Sequence, residues 1–263
     1  MIKLYIVSQN RLELPVAPIL FQLNPDADTG DNISYKQDYS ELRAHYWVWK
    51  NEPISTDMVG FFQFRRYLDL AAKSFKRPYS IKKLPQEKHF SLEVIQGLDV
   101  VGPIPEYTGF TVWARYKSVH RIDDLELAIK ILKEMHPEYT QAADIYINGK
   151  SEYYCNLYIM RRDVFNSYCE WLFGILERYD AGAQNIPART HGYIAERLFG
   201  IWFTKVKNDG VLRWKEVPRV HFWGYDDAKH HLRRDRLVNI LLPPGSERRI
   251  MFKRAFMRRE REI

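Results

Sequence analysis

Arg65 and Arg66 stand together where the apolar run Met58–Phe64 ends. Two guanidinium forks at a strand end suit phosphate or carboxylate oxygens, which they can grip bidentately. Upstream, Gly30, Asp31 and Asn32 form either a tight turn, since Gly and Asn accept left-handed backbone, or a loop that carries a substrate. Glu41 and His45 are spaced i, i+4, so on a helix they can pair with each other. Tyr46, Trp47 and Trp49 can stack a base or a sugar, although their helical spacing reads first as core packing. Asn156 interrupts the apolar run YYCNLYIM, and a buried amide there must find a partner, either a ligand hydroxyl or a backbone group. His120 stands just before a predicted helix, where capping, surface and ligand-binding roles are all open.

The elements that must position these groups follow from periodicity. Lys3–Ser8 reads as a strand, and residues 12–37 carry Pro15, Pro18, Pro25 and Gly30 among Asp and Asn, which is turn chemistry. Asp38 and Glu41 have capping-box spacing ahead of a helix that runs to Asn51, and Met58–Phe64 is a buried strand. If the two strands are parallel neighbours, their carboxyl ends share one edge of the sheet, where open α/β sheets bind ligands. Asn10, Arg11, Arg65 and Arg66 then converge there. Further strands are predicted at Leu98–Ile104 and Tyr153–Met160, and helices at Asp123–Met135, Asp163–Arg178 and Gly192–Thr204.

The 263 residues, 46% hydrophobic and 14% aromatic, are enough to bury a substantial core. No run approaches the roughly 18 apolar residues of a membrane span, and MIKLYIVS lacks a signal-peptide pattern. Cys155 and Cys169 have no metal or redox spacing, so they read as free thiols of a reducing cytoplasm. Lys229–Ile263 holds 11 Lys+Arg against 4 Asp+Glu, which accounts for the whole net charge of +7. A near-neutral body with a cationic end argues against nucleic acid as the partner. Within that end, Ile250, Met251, Phe252, Phe256 and Met257 lie among seven cations from Arg248 to Arg261, a pattern suited either to an anionic membrane surface or to a packing or oligomerisation arm. The expected division is one domain over residues 1–225 and a basic amphipathic extension over 226–263.

TGDNIS, YSEL, YWVWKN and the strand ending in RRY resemble the opening of bacterial capsular and exopolysaccharide biosynthesis glycosyltransferases, long described as a domain of unknown function. The resemblance continues through RYKSVHRIDDL, HPEY, YYCNLYIM, YCEWLF and IAERLFGIW, covering about residues 1–205 in order. It implies an α/β fold of the GT-A, Rossmann-like kind, with a mixed, mainly parallel sheet flanked by helices. It also implies transfer of a sugar from a UDP-linked nucleotide-sugar donor onto a saccharide or lipid-linked acceptor in capsule, exopolysaccharide or O-antigen synthesis; some relatives are linked with galactofuranose. Lipid-linked acceptors place such an enzyme in the cytoplasm or on the inner face of the plasma membrane. The family usually carries histidines where this chain has Gln9 and Gln63, and glutamine cannot titrate near neutral pH.

Sugar transfer sets what the site must supply. A diphosphate leaving group gains charge as the glycosidic bond breaks, so either a divalent metal or fixed cations must face it. Asp26-Ala-Asp28 is a D-x-D, but it lies in the loop beside Pro25 and not at a strand end. Arg65 and Arg66 are therefore the expected diphosphate ligands without a metal, with Mn or Mg held by Asp28 or Asp31 as the alternative. Ser8, Asn10, Asn32 and Tyr67 complete the expected donor site, and His120 and Asn156 the acceptor site. An inverting transfer also needs a base, for which Glu196 in IAERLFG is the candidate, with Asp31 as the second expected catalytic carboxylate. Pairing of Glu196 with Arg197 or Arg189 is the competing reading, and a non-catalytic carbohydrate-binding or assembly subunit with the same fold is the competing function.

Overall fold

Leu4 and Ile6 alternate with Tyr5 and Val7, so the first strand, β1 (Ile2–Val7), is apolar on both faces and needs cover above and below. The structure is a computed structural model that describes residues 1–26, 29–53, 55–71, 79–224, 237–238, 240–242, 246–249 and 251–252. Asp28 and most of the basic extension lie outside the described residues, and with them the expected metal role of Asp28 and membrane role of the tail. β1 lies between β2 (Leu20–Leu23) and β3 (Met58–Gln63), parallel to both, with Val7 opposite Gln63. Helix α1 (Leu42–Asn51) connects toward β3.

The chain continues through β4 (Arg66–Leu68), β5 (Tyr79–Ile81), β6 (Val100–Pro103) and β7 (Glu106–Tyr107). Helices α2 (Val112–Lys117), α3 (Ile122–Met135) and α4 (Thr140–Asn148) follow, then β8 (Ser151–Glu152) and β9 (Tyr158–Arg161). The long helices α5 (Arg162–Gly182) and α6 (Thr190–Asp209) precede β10 (Trp214–Val217) and β11 (Arg219–Phe222). The central sheet runs β2-β1-β3-β9-β6-β10, in which only β9 opposes the common direction. β4 folds back from the end of β3 and continues the sheet into β11 and β5.

The helices share one apolar cluster with Tyr5, Val7, Phe61, Tyr158 and Met160, on one sheet face. Leu4, Ile6, Phe62 and Ile159 face the other way, onto Tyr67, Leu68, Leu70 and Phe90. Gly60 lets these layers close, because a Cβ there would stand 2.7 Å from both Leu4 and Ile159 side chains. Helix α6 is buried around nearly its whole circumference, which explains its weak amphipathic pattern in the sequence.

Three local expectations need correction. The run 12–37 is not all turn, since β2 lies within it and pairs with β1. Asp38 does not begin α1: Gln37–Tyr39 is a 3-10 turn, Ser40 breaks it with φ 50°, and Glu41 holds the N-cap position without a side-chain cap bond. The strand expected over Tyr153–Met160 starts only at Tyr158, because Cys155 (φ 76°) and Asn156 (φ 47°) are both left-handed. Two non-glycine residues in that conformation cost energy that the surroundings must offset, and such strain gathers at functional sites.

Candidate active site at the carboxyl edge of the sheet

The strand directions bring the ends of β1, β3, β6 and β10 to one edge, together with the start of the opposed β9. Gln63 ends β3, and the Cys155–Asn156 turn leads into β9 beside it. Gln63 Nε2 donates to the Cys155 carbonyl at 3.1 Å and to Glu41 Oε1 at 3.4 Å. Asn156 Nδ2 donates to the same Glu41 oxygen at 2.9 Å and to the Gly192 carbonyl at 3.2 Å. Three elements are thereby tied at one point: the N-terminus of α1, the end of β3 and the first turn of α6. Asn156 is 3% exposed, and its Oδ1 has no hydrogen-bond partner among the described residues. This amide oxygen is thus an unused acceptor inside the cluster.

One turn further along α6, Glu196 Oε1 accepts the Cys155 amide at 2.6 Å and Oε2 accepts Arg197 Nη1 at 2.6 Å. Arg197, 2% exposed, also donates to Glu152 Oε2 at 3.0 Å, and Glu152 is fully buried. Burial raises the pKa of both carboxyls, and the guanidinium between them acts in the opposite sense. The Cys155 thiol is pushed up to about 12 by burial, against the opposing charges of Arg219 and Arg66. Arg219 ion-pairs with Glu106 and contacts Cys155 Sγ at 3.5 Å. Arg66 has no ion-pair partner among the described residues. Arg66 and Arg219, from the paired strands β4 and β11, thus both put positive charge near the Cys155 thiol.

The chain matches the model of the family described as Domain of unknown function (DUF4422) over residues 19–208. The chain belongs to that family. No curated protein matches it. Among solved structures it is similar to the apo structure of WbbM, a bifunctional glycosyltransferase, with a TM-score of 0.73 and 30% sequence identity over 84% of this chain. The match spans 45% of the WbbM chain. Together with the strand order above, this likeness fits a GT-A-like, mixed α/β fold.

In this DUF4422 chain the edge gathers only part of the residues expected from the sequence. Glu196, Asn156 and Arg66 meet there, and Ser8 and Asn10 follow β1 at the same edge. Asn10 is exposed, and its carbonyl accepts Ser8 Oγ at 3.0 Å. His120 stacks on Tyr193 at 4.0 Å, beside the same turn of α6. Arg65 diverges from Arg66: it sits in the hairpin turn with its guanidinium 4.8 Å from the Phe64 ring. Tyr67 is 1% exposed and packs against Phe62 and Phe90, so its ring belongs to the core and not to the edge.

Asp31 and Asn32 lie elsewhere. Asn51 Oδ1 accepts the Asp31 amide at 2.9 Å, and Asn51 Nδ2 donates to the Asp31 carbonyl at 2.7 Å. Gly30 (φ 69°) makes this clamp feasible, since a Cβ there would stand 2.2 Å from Asn51 Oδ1. Asn32 spends its side chain locally on Gly30 and Ser34. Asn51 ends α1 and Glu41 begins it, so about 15 Å of helix separates Asp31 from the Glu196 cluster. Asp31 and Glu196 therefore do not form one catalytic pair in this structure. Asp26, the first carboxylate of the D-x-D, is held by Arg43 and by Gln9 Nε2 at 2.9 Å; these bonds lower its pKa although burial acts to raise it. Among the described residues no group of three or more His, Cys, Asp or Glu is placed to hold a metal ion.

Sequence reasoning missed Arg219 and the true partners of Glu41. The Glu41–His45 pair is absent: His45 is buried, its Nδ1 lies 2.6 Å from Tyr158 Oη, and it stacks on Phe61. Tyr46 and Trp49 pack against Phe173 of α5, in keeping with core packing. The parallel strand ends that place Asn10 and Arg66, and the polar Asn156 in an apolar run, were the sequence signals that pointed at this edge.

Proposed function

We propose that the chain is a glycosyltransferase, moving a sugar from a nucleotide-sugar donor, UDP-linked, to a saccharide or lipid-linked acceptor in synthesis of a cell-surface polysaccharide. The observation that carries this reading is the likeness to WbbM over 84% of this chain, with a polar, cationic cluster at the sheet edge where open α/β sheets bind ligands. Arg66 and Arg219 face the diphosphate and stabilise the charge that grows on it as the glycosidic bond breaks. No step in this reading needs a metal. Asn156 shapes the acceptor side of the site through its bond to Glu41, with His120 at the border of that subsite. No helix among the described residues is long and apolar enough to cross a membrane. A cytoplasmic enzyme that meets lipid-linked acceptors through its basic extension accommodates that fact.

The test is thermal stabilisation by UDP with and without manganese, alongside turnover of a panel of nucleotide sugars. Stabilisation by UDP in EDTA, lost in Arg66→Ala and in Arg219→Ala with folding retained, is the expected result. Unaltered UDP affinity in both variants removes the arginine pair from the site. Absence of stabilisation by any nucleotide favours a non-catalytic saccharide-binding subunit.

A further inference from the structure

An inverting glycosyl transfer needs a base with a lone pair free to receive a proton, and the two carboxylates bonded to the Cys155–Asn156 turn, Glu196 and Glu41, stand in different circumstances. Glu196 has both oxygens engaged, one by the Cys155 amide and the other by Arg197. Its work in the structure is to hold the left-handed Cys155–Asn156 turn against α6. A proton arriving on Glu196 would displace one of these bonds and leave Arg197 beside a neutral acid.

Glu41 differs on each point. Its Oε1 is fixed by two amide donors, Asn156 Nδ2 and Gln63 Nε2, and neither carries charge. Its Oε2 has no hydrogen bond or ion pair with any described residue. The residue is only partly buried, so that oxygen is reachable. Opposite Oε2 lies Gly192, whose missing side chain keeps the approach open: a Cβ there would stand 3.7 Å from the oxygen. Glu41 occupies an N-cap position yet makes no cap bond, so its side chain is spent on the edge and not on its own helix. A carboxylate on a partly exposed residue, oriented through one oxygen by neutral donors and with the other oxygen free of described partners, has the geometry of a general base.

We propose that Glu41, and not Glu196, is the catalytic base that deprotonates the acceptor hydroxyl, an inference that rests on the glycosyltransferase reading above. The hydroxyl proton passes to Glu41 Oε2 as the acceptor oxygen bonds to the anomeric carbon. The bond from that carbon to the diphosphate oxygen breaks, and the nucleoside diphosphate leaves with its electron pair. Glu196 is a positioning residue that fixes Asn156 through the Cys155 turn.

Glu41→Gln keeps an oxygen for Asn156 and removes the base, so it separates charge from scaffolding. The assay measures transfer from UDP-linked hexoses to octyl hexosides, with UDP affinity and melting temperature read on the same preparations. The expected result is a fall in kcat of about 10²–10⁴-fold with UDP affinity and melting temperature close to wild type. Sodium formate should restore part of the rate in Glu41→Ala and none in Glu196→Ala. A Glu41→Gln enzyme within about threefold of wild type overturns the assignment, as does lost UDP binding with a lowered melting temperature, which marks Glu41 as structural. Failure of formate to act on Glu41→Ala also counts against it. If wild-type protein neither turns over any nucleotide sugar nor is stabilised by UDP, the transferase reading itself falls, and this role with it.

Discussion

Replacing Arg197 by Met tests whether the buried charge network is what holds the candidate site. Arg197 is 2% exposed and bonds Glu196 and Glu152, of which Glu152 has no exposure at all. Methionine fills much of the same volume but leaves two carboxylates facing an apolar gap. Removing one partner of a buried ion pair costs about 3–5 kcal/mol. For a domain of this size roughly 2–4 °C of melting temperature accompanies each kcal/mol, so a fall of roughly 6–20 °C is expected at neutral pH. The pH dependence carries the sharper signature. Burial already raises the pKa of both carboxyls, and Arg197 is the largest influence lowering them. Without it both rise further, so the native state binds protons more tightly than the unfolded chain, and stability falls as pH increases above the ordinary carboxyl value of 4.5. Arg197→Met is therefore expected to recover stability as pH drops from about 8 to about 5. Arg197→Met with Glu152→Gln and Glu196→Gln should melt close to wild type at every pH. Thermal melts followed by far-UV circular dichroism across that range provide the measurement. A loss below about 1 kcal/mol, or a deficit that stays the same across the range, would refute the claim that Arg197 neutralises this pair.

Burial, and then the charges of Arg197 and Arg115, depress the His120 pKa to about 4. The unfolded chain then holds more protons than the native state between that value and the ordinary 6.5, so this group favours folding at higher pH and its contribution is lost as pH falls toward 4. The His120 ring signals in NMR should stay flat from about pH 8 to about pH 5, and an inflection near 6.5 contradicts the burial seen here. For the basic extension, flotation with anionic vesicles should be strong for the full chain and weak for a chain ending at residue 244. Equal recovery of the two removes the membrane role.

The β1–α1–β3 unit was legible because its signals are local: alternation in Leu4–Val7, the apolar run from Met58 and the helix between them need no distant partner to be recognised. The β9 start was not legible, because YYCNLYIM has strand propensity throughout and nothing within it announces two left-handed residues. Their conformation is held by the Glu196 and Gln63 bonds, which come from 41 and 92 positions away. Arg219 was invisible for the same reason, since only the pairing of β11 with β4 brings it beside Cys155.

Glu41 shows why residue type alone could not rank the carboxylates. Its spacing to His45 favours a helical pair worth only about 0.2–0.5 kcal/mol. Burial of the imidazole against Phe61 and its bond to Tyr158 outweigh that, and the freed carboxylate turns to the sheet edge. Once His45 is engaged elsewhere, the chemistry of the edge depends on which carboxylate keeps an open oxygen. Glu196 gives both of its oxygens to the turn and to Arg197, whereas Glu41 keeps one, and that difference exists only in the assembled fold.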